Sequence, residues 1–188
     1  MTETKETIDL MEMMIEHAKV QREVIPYSGC FHPMAFIFGA AGNTIMIIEN
    51  WHDNVQKRKA VGLAMWKART DKARCMCLVT DARGLKYDAF MEHYKLPKGI
   101  SVEMFRREYY RILRQHGGDL GNLPANVWED VMTVMANGPE MPFTIRMAAY
   151  KCGPKGEVVW MEQTLPEAMK KEDSEIVHKS DLLVDWWS

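Results

Sequence analysis

The chain has 188 residues, 47% hydrophobic and 27% charged, with a formal net charge of −2. That length fits one domain with a core large enough to need neither disulfides nor metal. The charge balance gives no global pull toward nucleic acid or an acidic partner, and no apolar run approaches the ~20 residues of a membrane span. The polar, acidic start MTETKETIDL does not read as a secretory signal. Four cysteines in this setting read as small core residues of a reduced, cytoplasmic protein.

Residues 4–23 read as a helix, with Ile8, Met11, Ile15 and Ala18 at helical spacing and Met14 widening the stripe. A stretch from His32 to Asp81 then organises the chain. Met34, Phe36 and Phe38 alternate as in a strand that Pro33 opens, and Gly39 and Gly42-Asn43 supply a turn. Thr44–Ile48, β-branched and apolar, is expected to return as a largely buried strand. Asp53 or Asn54 can cap the next helix, in which Val55, Val61, Met65 and Ala68 face the core and Lys57, Arg58 and Lys59 face water. Cys75–Thr80, closed by Asp81 and Gly84, reads as a central strand.

Residues 84–100 are expected to form a loop. Ser101 caps a helix to about Gln115, striped by Val102, Phe105, Tyr109 and Ile112 and ended by Gly117-Gly118. The spacing of Val127, Val131 and Val134 predicts a second helix over 125–136. Phe143–Lys151 and Glu157–Thr164 then pair as a hairpin across Gly153–Gly156. An acidic segment, 166–188, ends in Trp186-Trp187, which is expected to tuck back onto the domain. The sum is an α+β domain over 1–188: an antiparallel sheet of about five strands, packed helices, and a helical insertion at about 84–140.

Pro33-Met34, the glycine turn, the charged helix and the strand end Val79-Thr80-Asp81-Ala82 together resemble a pattern of small phage and bacterial proteins to which no activity is attached. Tyr150–Val159 matches their closing strand–turn–strand, while the insertion and Arg83 depart from the pattern. The resemblance implies a phage or mobile-element accessory protein and brings no site residues.

The charge is unevenly placed: residues 57–116 hold fifteen Lys/Arg against six Asp/Glu, while 157–188 hold three against eight. The basic middle is either a patch for an anionic partner or a face neutralised by solvent and the acidic end. Within it, Arg107, Arg111 and Arg114 recur at i, i+4 and i+7 with Arg106 and Tyr110 beside them. Such a ridge can hold phosphates bidentately and stack a base, and Lys57-Arg58-Lys59 would extend it if both helices share a side. Glu103 and Glu108 can equally pair with the arginines.

Cys30-x-His32 and Cys75-x-Cys77 are the one zinc candidate, since i and i+2 share a strand face, although the spacing is not that of a finger or knuckle. The histidines sit in no H-E-x-x-H frame, and there is no G-x-S-x-G and no phosphate-binding glycine loop. Asp81, at the end of a central strand, is the best lone carboxylate for catalysis. The expected function is therefore a non-enzymatic binding protein for a nucleic acid, a nucleotide or a host protein. A metal-dependent hydrolase using the cysteine/histidine strands or Asp81 is the alternative.

Overall fold

The computed structural model describes residues 5–49, 54–139 and 141–161. In chain order these form α1 (Lys5–Glu23), β1 (Met34–Gly39), β2 (Gly42–Ile47), α2 (Asn54–Thr70), β3 (Cys75–Leu85), α3 (Tyr87–His93), α4 (Val102–Gln115), β4 (Trp128–Gly138), β5 (Met141–Cys152) and β6 (Val158–Trp160). The fold is α+β. Its sheet has six strands in the order β2-β1-β3-β4-β5-β6, every neighbour antiparallel.

One helix covers each face. Alternation along β3 sends Cys75, Cys77 and Val79 to the side of α1, where Met11, Met14, Ile15 and Ala18 meet them. Met76 and Leu78 point the other way, against Val61, Ala64 and Ala68 of α2. The central strands are thus apolar on both faces. That explains the largest departure from the sequence expectation. Residues 125–136 are not a helix: after a short 3-10 turn at Ala125–Val127 the chain is strand β4. Val131 to Ala136 are all buried, with Met132, Val134 and Ala136 under α1 and Met135 under α2. A helix would bury only a stripe of that run, whereas a strand covered on both faces buries all of it.

Two smaller differences follow from position in the sheet. The returning strand β2 lies at the edge, so Ile45 and Ile47 are exposed where burial was expected. The 84–100 loop contains the short helix α3, held by Phe90, which is wholly buried. Ser101 does cap α4, its hydroxyl accepting from the Met104 amide at 3.3 Å, and Gly117 and Gly118 close it with φ of +77° and +80°. Helices α3 and α4 build a third apolar cluster around Phe90, Phe105 and Ile112, beside the Leu85–Trp128 end of β3 and β4. The cap at Asp53, residues 166–188 and the Trp186-Trp187 pair lie outside the described residues.

Candidate functional site

Two polar constellations stand out on this frame. The first is internal. Arg22 continues the buried stripe of α1 and is 2% exposed. Its guanidinium lies 3.3 Å from Asp81 Oδ2 on β3, and its Nε donates to the Tyr150 hydroxyl on β5 at 3.2 Å. Its two terminal nitrogens donate to the carbonyls of Ile25, Pro26 and Tyr27 at 3.1, 3.3 and 2.9 Å. The planar fork of arginine suits this many-sided role in a way lysine would not.

Tyr150 donates in turn to Asp81 Oδ1 at 2.6 Å, while the hydroxyl of Tyr27 donates to Asp130 Oδ2 in a very short bond. The register places Asp130 opposite Tyr150 on neighbouring strands, so the two carboxylates share one region. Burial raises the Asp81 pKa above the ordinary carboxylate value, and Asp130 adds to the rise, against the opposing pulls of Tyr150 and Arg22. Burial, then the bond to Asp81, pushes the Tyr150 phenol up. The bond to Asp130 holds the Tyr27 phenol at about 12.

A cavity of about 240 Å³ opens beside Asp81, walled by Cys30, Phe31, His32 and Glu49. Asp81 therefore faces solvent-accessible space with a carboxylate already engaged by Arg22 and Tyr150. The arrangement is a structural pin with a polar rim. Sequence reasoning singled out Asp81 but missed Arg22, Tyr27, Asp130 and Tyr150. Arg22 had a visible signal, since it falls on the Met11, Ile15, Ala18 stripe at the next helical step. The tyrosines and Asp130 had none, because only the strand register brings them together.

The zinc candidates do not assemble. Cys75 and Cys77 pair with Phe38 and Phe36, whereas Cys30 and His32 precede Met34 at the opposite end of β1. Cys75 and Cys77 are buried under α1, and the Cys77 thiol is pushed up by its neighbour Cys75 and by burial. Among the described residues no three His, Cys, Asp or Glu side chains are placed to share a metal ion. His17 packs edge-on against Phe36 at 5.6 Å.

The second constellation is the outer face of α4. Phe105 and Ile112 turn inward, and on the opposite side Arg107, Arg111 and Arg114 are exposed, with Tyr110 45% exposed beside them. Arg111 meets Glu108 at 2.8 Å and Gln115 at 3.3 Å, and Arg114 donates to the Tyr110 carbonyl at 3.2 Å. Arg107 makes no ion pair among the described residues, and Arg106 sits half-buried on the flank. Lys57, Arg58 and Lys59 belong to α2, which packs on a face of β1 and β3 in a different apolar cluster from α4. Among the described residues no helix is long and apolar enough to cross a membrane.

The chain matches no protein-family model, no curated protein and no solved structure.

Proposed function

We propose that the protein is a non-enzymatic binding protein that holds a nucleic-acid backbone along the outer face of α4. The observation that supports this reading is the exposed row Arg107, Arg111 and Arg114 with Tyr110 at its side. At 1.5 Å per residue the row runs for about 10 Å, long enough to follow a backbone rather than a single phosphate. Three guanidiniums offer bidentate contacts, and Tyr110 offers a face for a base. The Arg111–Glu108 pair does not oppose binding strongly, because an exposed ion pair contributes only about 0.2–1 kcal/mol. Residues 83–116 as a whole carry eight Lys/Arg against four Asp/Glu, so the surroundings favour an anion. The resemblance to small phage and bacterial proteins supports reading this binder as an accessory factor.

The test is fluorescence anisotropy with labelled single-stranded DNA over a salt series. Wild type should bind with a marked salt dependence. Arg107→Glu with Arg111→Glu should abolish binding at moderate salt, and Arg107→Ala with Arg111→Ala should reduce the log–log salt slope by about 1.4. Unchanged affinity and slope in the charge-reversed protein would remove this reading.

A further inference from the structure

Among the described residues, strand β2 is an edge without the usual protection. Its pairing with β1 aligns Ala35 with Met46 and Ile37 with Thr44, and the Ile48 amide donates to Pro33 at 2.8 Å. The even-numbered residues of β2 therefore bond inward, and the amides and carbonyls of Asn43, Ile45 and Ile47 point away from the sheet. The side chains of Ile45 and Ile47 are 58% and 65% exposed. They lie on the α1 face, opposite Phe36 and Met34. The near flank of α1 adds exposed Met13 and Val20, and Val24 follows just beyond the helix, with His17 resting on Phe36 between helix and strand.

Natural edges are normally blunted by charge, proline, a bulge or extreme shortness. From Gly39 to Ile48 this chain has no charged residue and no proline, and the β1–β2 register runs without a shift. The other edge differs: β6 is three residues long and half-buried, with Trp160 packed on Tyr150.

We propose that β2 is the seam of a homodimer, two copies pairing antiparallel through this strand to form one continuous sheet. A two-fold contact sets a surface against itself, so any charge on it meets its own like. This edge meets that condition because it has none. With the two-fold at Met46, Ile45 would face Ile47 of the second copy and Ile47 its Ile45, as cross-strand apolar pairs. Of the charges on α1, Glu12 and Lys19 turn to the far flank, toward Arg146 and Trp160, and Glu6 shares the stripe of Met13 and His17. Exposed Trp66 and Leu63 on α2 lie on the other side of the sheet and take no part.

Sedimentation equilibrium on the full chain, with circular dichroism to verify folding, decides the matter. Wild type should sediment at twice the 21.8 kDa of one chain. Ile45→Pro removes an outward amide and the Ile45 side chain and leaves the ladder to β1 intact, and Ile45→Lys with Ile47→Lys places like charges across the seam. Each should raise the dimer dissociation constant at least roughly tenfold while the protein stays folded. Trp66→Lys should leave the dimer unchanged. A monomeric wild type at several hundred micromolar would overturn the proposal, reserving this edge for a different partner. So would a dimer indifferent to both β2 variants, or one dissociated by Trp66→Lys.

Discussion

The hydroxyl of Tyr150 reaches across β4 to donate to Asp81 at 2.6 Å, and both lean on the guanidinium of Arg22. Helix α1, strand β3 and strand β5 are thereby joined at one point. The consequence for Arg22 is unequal to that of any surface cation. Arg22→Met would leave Asp81 without its counterion and three carbonyls of the 25–27 segment without a donor. The expected loss is about 3 kcal/mol in urea denaturation. Glu16→Gln, which breaks the exposed pair with Lys19, should change stability by about 0.5 kcal/mol or less. Equal effects of the two variants would refute the pin.

Asp81 also predicts a pH dependence. Its folded pKa lies above the ordinary 3.8, chiefly through burial. The folded protein therefore binds this proton more tightly than the unfolded chain does. The resulting stability is present below pH 3.8 and is lost as pH rises through the folded value. The stability of wild type relative to Asp81→Asn should fall as pH climbs upward from 3.8 and then level off. Denaturation curves for both proteins at a series of pH values read this directly, and a difference that grows with pH over the same window contradicts it.

Two glycines should respond in opposite directions to alanine. Gly62 lies within α2 and a Cβ there would meet nothing within 4 Å. Gly62→Ala should stabilise by about 0.5–1 kcal/mol through helix propensity. At Gly138 a Cβ would stand 2.1 Å from the Arg74 carbonyl and 2.5 Å from Cys75 Cα, where only backbone could give way. Gly138→Ala should cost roughly 3 kcal/mol. Thermal denaturation of the two variants checks both signs.

The α3–α4 lobe has its own core, so damage there should begin locally. Phe90 is fully buried and touches the rings of Tyr94, Phe105 and Tyr109 at 4.7, 5.8 and 5.8 Å. Phe90→Ala should cost about 3–5 kcal/mol by leaving a cavity. Hydrogen exchange should show α3 and α4 losing protection before β3 and β4 do. Uniform loss across sheet and lobe would count against an independent core.

The strand–turn–strand–helix–strand run from Met34 to Leu85 was legible because each segment has one dominant period and a turn residue between. Helix α4 was equally plain, with a serine cap and a glycine end. Strand β4 was not, since Val127, Val131 and Val134 fit a helical stripe, and only the second helix layer shows why the intervening residues are buried too. Edge and centre were also indistinguishable for β2, because apolar alternation does not say whether a neighbour lies beyond. The arginine row could be read directly from its spacing. The Arg22–Asp81–Tyr150 contact could not, as it depends on a register spanning three strands.

Leu85 and Trp128 are facing partners at the ends of β3 and β4, and the Lys86 amide donates to the Val127 carbonyl at 3.0 Å. The chain thus leaves the sheet and returns to it through a neck one residue pair wide. The entropic cost of closing such a loop grows only slowly with the length of chain it carries. A tight turn could replace residues 86–127, or another sequence could be grafted there, without altering the pairing of β3 with β4. The α4 lobe is in this sense a cassette, exchangeable on a sheet whose own order of strands does not depend on it.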